Sequence, residues 1–300
     1  MRILLVANFL GEGCTGLLVA QALSNIGHSV IFWDAGYQTK PPQSEYDFAI
    51  VWLNRLIPRE IFKTEVAYIY LDDPSYWQKV YPEYLPENCA RGYKYVFANI
   101  KWDGFDEKRY TWLPFGCLPQ LHRFIDLNPS DKLKYGRDVV FIGTNRGKRG
   151  ELVKYVYENL PAQYTFKVYG NDWKRGGEDI IPHSPPVYFE EFVRVLSASK
   201  IALSEHYCKG LSTNDCEKPA VGGAMLLTDC PLVKQEYPMC PIYTSPQEAI
   251  ELAEYYLEHE DERLRIVKEM QEIAYKKFTY EEQLKKLIKI CTGYQEDGGE

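Results

Sequence analysis

After Arg2, the run Ile3-Leu4-Leu5-Val6-Ala7 has no polar side chain, which predicts a strand covered on both faces rather than one with a solvent side. A Gly-bearing loop, Asn8 to Gly16, leads into the helical stretch Leu17–Leu23. Gly27 stands where a helix closes in the left-handed conformation, and Ser29 to Trp33 makes a second strand that ends at Asp34. A strand–helix–strand opening imposes a parallel sheet, because parallel neighbours need a crossover across one face. Further strands are expected at 46–53, 66–71 and 93–98.

Pro114 to Asp138 breaks this rhythm. It is polar, contains Pro119 and Pro129 and shows little periodicity, as expected of a connection between domains. The pattern then restarts, with strands at 138–143, 165–169, 200–203 and 224–228. Ser245-Pro246-Gln247-Glu248 is a capping box with Pro at the first helical position. Val267, Met270, Ala274 and Phe278 repeat at helical spacing over about 262–278, and a shorter segment follows at about 280–290. The expected class is α/β with two Rossmann-like domains: 1–120, a connection at 121–137, 138–278, and a C-terminal helix and tail, 279–300, that can pack back on the first domain. Two such halves imply a cleft, with ligands outside the carboxyl ends of the strands.

Composition narrows the function. A net charge of −7 and a pI of about 5.5 argue against a dedicated binder of nucleic acid or anionic membrane. No stretch approaches the roughly 20 apolar residues of a membrane span, and the apolar start is too short for a signal core. The eight cysteines form no CxxC pair and fit neither a zinc site nor a disulfide scaffold, so they read as free thiols of a cytoplasmic protein.

Four segments carry candidate chemistry. Gly11, Gly13 and Gly16 formally match GxGxxG, and with Asp34 they raise a dinucleotide-binding reading. Against it, Asn8-Phe9-Leu10 separate the strand from the first glycine; a ligand-facing glycine loop and a structural turn are the other readings. Asp72 and Asp73 lie at the carboxyl end of a strand, where a carboxylate can act as a general base, and where the alternative is a turn or cap. Gly143-Thr144-Asn145-Arg146-Gly147-Lys148-Arg149 ends a strand and opens a helix. Three cations there oppose the helix dipole, which suggests that an anion such as phosphate compensates them; a solvated basic turn is the alternative.

The fourth segment runs from Lys209 and Gly210 through Ser212, Thr213, Asn214 and Glu217 to Gly222-Gly223. Pro219 suggests a helix beginning close to Asn214 or Asp215, with Glu217 in its first turn. Glu217 then either caps the helix by answering Asn214, or accepts hydroxyls of a ribose.

Glu217 followed by Ala220, Gly222-Gly223 and Met225-Leu226-Leu227-Thr228-Asp229 resembles the donor-site segment of GT-B glycosyltransferases, and looks closest to the spore-maturation CgeB-like group. In order along the chain, Tyr70 to Pro74 with Trp77, Trp112 to Cys117, Asp138 to Thr144 with Arg149, Leu203-Ser204 and Tyr280 agree. The resemblance implies a GT-B fold and hexosyl transfer from a nucleotide-sugar to an acceptor that is a glycan, a protein, a small molecule or a modified nucleobase. It implies that Glu217 holds the donor ribose, that Arg149 or Lys148 neutralises the diphosphate without a metal or other cofactor, and that Gly11 to Gly16 line the acceptor side. Asn214 replaces the Arg of many relatives, and Lys209 stands where broader retaining families have an acidic residue. A base on the acceptor hydroxyl would be Asp72 or Asp73. The rival readings are an NAD-dependent oxidoreductase or epimerase, and a homologue that binds nucleotide-sugar without transferring it.

Overall fold

The computed structural model describes residues 1–10, 14–38, 40–71, 74, 81–102, 104–175, 178–206 and 210–293. The chain divides into two compact units, Met1–Leu118 with Phe278–Glu300, and Pro119–Lys277.

In the first unit, strands β1 (Arg2–Ala7), β2 (Ser29–Asp34), β3 (Phe48–Trp52), β4 (Val66–Tyr70), β5 (Tyr95–Ala98) and β6 (Thr111–Trp112) form one sheet in the order β2-β1-β3-β4-β5-β6. Every pair is parallel, with Leu4 opposite Ile31 on one side and Ala49 on the other. The apolar run of β1 is fully buried from Ile3 to Val6, as its composition predicts. Each such aliphatic side chain contributes about 1.5–3 kcal/mol relative to an exposed one. Helix α1 (Thr15–Asn25) crosses from β1 to β2, and the short α2 (Pro86–Cys89) precedes β5. Gly27, just past α1, is left-handed at φ 81°. The C-terminal helix Tyr280–Thr292 belongs to this unit. Its entry is tied down where Cys117 N–H donates to Phe278 O and Tyr280 N–H to Cys117 O (2.7 and 3.0 Å). Gly116 is required there, because a Cβ would lie 2.6 Å from Tyr280 N.

The second unit begins with α3 (Pro129–Tyr135), followed by β7 (Val139–Ile142), α4 (Arg149–Asn159), β8 (Phe166–Tyr169), the ribbon β9 (Lys174–Arg175) and β10 (Glu178–Asp179), and α5 (Phe189–Ala198). Then come β11 (Ile201–Ser204), α6 (Thr213–Val221), β12 (Met225–Thr228), α7 (Pro231–Glu236), α8 (Pro246–Glu258) and α9 (Glu260–Lys277). Its sheet is parallel, in the order β12-β11-β7-β8. The chain therefore winds outward from β7 to β8 and then crosses to β11 on the other side, which makes the β7/β11 carboxyl ends a topological switch point.

Two local expectations are corrected. The segment 121–137 is not an irregular connection throughout. Asn128 accepts from Asp131 N–H (2.9 Å), Pro129 takes the first helical position, and α3 packs with α5 through Arg194 on Asp131 (2.7 Å). Seven residues are too few to show helical periodicity. Helix α6 begins at Thr213, so Pro219 lies inside it and Glu217 lies past its first turn. The proline deletes only the N–H that would reach the Asp215 carbonyl, and packing outweighs that one bond.

Asp34 and Gly16 also have structural tasks. One Asp34 oxygen accepts from Phe9 N–H and Leu10 N–H (3.0 and 3.2 Å), and the other from Gly36 N–H (3.0 Å). A carboxylate engaged by three amides of its own chain is not a waiting ribose ligand, which removes the main support for the NAD reading. Gly16 is a buried residue of α1, where a Cβ would meet Asn8 O at 2.8 Å and Ala7 Cβ at 2.9 Å, so its smallness serves helix–strand contact rather than an open loop. Gly11 and Gly13 lie outside the described residues. Asp34→Ala should lower stability by about 1–3 kcal/mol in urea unfolding, because the amides of the 8–10 turn and Gly36 lose an ionised acceptor.

Candidate functional site

At the carboxyl ends of β7, β11 and β12, the second unit concentrates buried polar groups. Gly143 follows β7 and is fixed by its backbone, its N–H donating to Tyr169 O (2.9 Å) and its carbonyl accepting from Trp173 Nε1 (3.1 Å). Asn145 donates through Nδ2 to Asp172 O (3.1 Å), which makes it a buttress of the loop. Arg149, the first residue of α4, reaches back across the strand ends: Nε donates to Glu205 O (2.8 Å) and Nη1 to Thr144 O (3.0 Å). One of the three cations of this turn is thus positioned by carbonyls of its own chain. Arg146 and Lys148 are exposed beside it, and Lys148 stands at the cap of α4.

Glu205 follows β11 directly and is 6% exposed. Its Oε2 lies 3.7 Å from Arg149 Nε and has no hydrogen-bond partner among the described residues. Burial, with the charge of Asp229, pushes its carboxyl up to about 7 against the opposing pull of Arg149.

His206, the next residue, bridges two acids. Its Nε2 is 2.6 Å from Asp215 Oδ2 and its Nδ1 3.1 Å from Asp229 Oδ1, and its backbone N–H also donates to Asp229 (3.0 Å). Burial alone would lower the imidazole, but the charge and hydrogen bonds of these carboxylates raise it to about 10, so it is an imidazolium at neutral pH. Asp215 is fully buried; its Oδ2 also accepts from Ser212 N–H (2.7 Å) and Ser212 Oγ–H (2.8 Å). The bridge therefore fastens the start of α6 to the ends of β11 and β12.

These bonds bear on the capping reading of Glu217. The cap of α6 belongs to Ser212 and Asp215, so Glu217 does not cap the helix in answer to Asn214. Its side chain is 14% exposed, with Oε1 3.8 Å from the Nε2 of buried His122. Burial raises the Glu217 carboxyl to about 8, with Lys218 opposing, and lowers His122 to about 4, so near neutral pH both are largely uncharged and form no ion pair. Lys218 is itself buried, its Nζ donating to Leu203 O (3.4 Å) and lying 6.0 Å from the Phe141 ring centroid; burial lowers it to about 8. Gly210 is buried, while Thr213 and Asn214 are partly exposed at the start of α6. Asp72, Asp73 and Lys209 lie outside the described residues. The sequence reading assigned no role to Glu205, His206 and His122, which sit in no motif, nor to Lys218 and Asp229, which lie within segments it singled out; the available signal for the first two was three consecutive polar residues, Ser204-Glu205-His206, closing an apolar strand.

Residues 148–289 match the family described as "Glycosyl transferase-like". No curated protein matches the chain in sequence. Among solved structures, HepE from Anabaena in complex with UDP and glucose is 14% identical, covering 98% of this chain and 100% of that one with a TM-score of 0.72. Sucrose-phosphate synthase from Thermosynechococcus elongatus is 12% identical, covering 97% and 98% with a TM-score of 0.66. T4 phage BGT in complex with UDP-glucose is 14% identical, covering 96% and 99% with a TM-score of 0.59. The expected GT-B fold is borne out by these likenesses, and the expectation of a glycosyltransferase by the family match over residues 148–289.

The bridge has a measurable weight. Removing one partner of a buried charge pair typically costs about 3–5 kcal/mol, so His206→Ala should lower unfolding stability by about that amount at pH 7. A raised histidine stabilises fully below its unfolded value of 6.5, and that contribution is lost as pH rises through about 10. The difference between wild type and His206→Ala should accordingly shrink in denaturant titrations carried from pH 7 towards pH 10.5.

Proposed function

We propose that this chain transfers a hexose from a UDP-linked donor to an acceptor hydroxyl, with the donor held at the carboxyl ends of β7, β11 and β12. The observation that carries the reading is Glu217: a carboxyl kept protonated by burial, relieved of any capping task, within the glycosyl transferase-like stretch. Two ribose hydroxyls donating to it would stabilise its charged form, because hydrogen bonds to a carboxylate favour ionisation. UDP is the nucleotide of choice because HepE and BGT were solved with UDP or UDP-glucose.

In this reading the diphosphate lies against the turn 143–149. Arg149, already oriented by two carbonyls, and the exposed Lys148 and Arg146 face the charge that builds on the leaving phosphate, with the amino end of α4 adding its dipole. Ser212, Thr213 and Asn214 at the start of α6, with Gly210 and Lys209, complete the donor side. Transfer then needs no divalent metal, since side-chain cations take that role. BGT has also been solved with Mn2+, which makes the point worth testing here. Asp72 or Asp73 is the candidate base on the acceptor, and Gly11 and Gly13 the acceptor-side loop. A CgeB-like specialisation within the glycosyltransferases and action in the cytoplasm complete the proposal. The latter is supported, among the described residues, by seven cysteines that are free thiols and by the lack of any helix long and apolar enough to cross a membrane.

Glu217→Gln should weaken UDP-glucose binding at least about tenfold by calorimetry, a loss of about 1.4 kcal/mol. Its unfolding stability should stay within about 1 kcal/mol of wild type, since no cap is lost. Unchanged affinity would remove Glu217 from the donor site. UDP-glucose at 100 times its dissociation constant should stabilise the wild type by about 2.7 kcal/mol, and the same shift should persist in EDTA. An EDTA-sensitive shift restored by Mn2+ would contradict metal independence.

A further inference from the structure

Glu205 is the buried group for which the donor site as drawn has no use. It sits on the switch-point strand β11, its main-chain oxygen is the anchor of Arg149, and its own carboxyl lies beside the same guanidinium. One carboxyl oxygen is buried without a hydrogen-bond partner among the described residues, although such atoms are normally satisfied. A simple Arg–Glu ion pair would place that oxygen within hydrogen-bond distance of a guanidinium nitrogen. Here Arg149 Nε instead donates to the Glu205 main-chain carbonyl, with Oε2 at 3.7 Å.

We propose that Glu205 binds the donor as a neutral carboxylic acid, taking a proton from solvent when the diphosphate arrives and offering that proton to a phosphate oxygen. This inference rests on the donor placement proposed above. The charged groups around Glu205 set the sense of the coupling. Asp229, after β12, repels its charged form; Arg149 and Lys148, on and before α4, and His206 beside it favour that form, and the Tyr243 hydroxyl donates to the adjacent Ser204 O (2.7 Å). Burial and Asp229 together outweigh these cations and leave the carboxyl at about 7, close enough to neutrality for an arriving anion to tip it. Bound phosphate would draw on the positive field that otherwise favours the carboxylate and would add like charge beside it, so the protonated form is the one compatible with ligand. The neutral acid then acts as a donor inside the site, in line with Arg149.

The test compares UDP-glucose affinity of wild type and Glu205→Gln by calorimetry from pH 6 to pH 8. UDP-glucose is the probe because its diphosphate, esterified at both ends, does not titrate in that range. Gln mimics the neutral acid in shape and in its ability to donate. The two proteins should bind alike at pH 6, and Glu205→Gln should bind up to about tenfold more tightly at pH 8, where the wild type must first take up a proton. Contributions of other titrating groups, Glu217 and Lys218 among them, are common to both proteins and cancel in the ratio. Glu205→Ala serves as a second variant, with the same pH dependence expected in its ratio to wild type. A ratio that is constant with pH, or a Gln variant that binds more weakly at pH 8, overturns the inference while leaving the donor site standing. Failure of the wild type to bind UDP-glucose at any pH overturns the donor site itself, and this inference with it.

Discussion

A parallel sheet whose strands are covered on both faces leaves little backbone or side-chain polarity available except at its ends. In both units the strand interiors are spent on burial. The first unit packs Ile3 to Val6 and the whole of β3 and β4 out of solvent, and the second does the same with β7, β11 and β12. Chemistry is thereby confined to the residues that follow each strand. In the second unit those residues are Gly143 onward, Glu205-His206 and Asp229, and the crossing of the chain from β8 to β11 opens a gap between two of the three ends.

Electrostatics then decides what can be kept at such a place. An ion there loses hydration and must be matched within the protein, as His206 is by Asp215 and Asp229. Arg149 is oriented by carbonyl oxygens rather than by a tight carboxylate pair, and Lys218 is held below the ordinary lysine range by its burial. Two carboxyls, Glu205 and Glu217, are left near their neutral forms. A site that already holds its cations in place, with acids poised close to neutrality, suits a ligand that brings negative charge and hydroxyl donors together.

The helices show how local rules and packing share control. Ser245 caps α8 and Thr279 the C-terminal helix, both accepting from a backbone N–H three residues on, although the Glu248 side chain answers to Thr244 N–H rather than to Ser245 and so leaves the box half formed. In α6 the cap rule also holds, but with Ser212 and Asp215 instead of Asn214 and Glu217, because Pro219 proved compatible with an interior position. The close approach of α6 to its neighbours explains Gly222-Gly223. A Cβ on Gly223 would lie 2.4 Å from Leu196 O, and one on Gly222 2.2 Å from Gln271 Nε2.

The sequence alone determined the two α/β halves, the parallel strands and most of their limits, the cationic turn before α4 and the segment carrying Glu217. These are legible because apolar runs, glycine positions and capping pairs act over a few residues, where periodicity is visible. The helix within 121–137 was not legible, since seven residues with one buried side chain leave no repeat. The tertiary structure decided the rest. Asp34 and Gly16 proved to be packing devices because their partners are backbone atoms on adjacent elements. Glu205, His206 and Asp229 became a cluster because β11 and β12, separated by the whole of α6, are neighbours in the sheet. Spacing along the chain carries no record of which strand ends meet, or of how deeply a carboxyl is buried, and the protonation of this site depends on both.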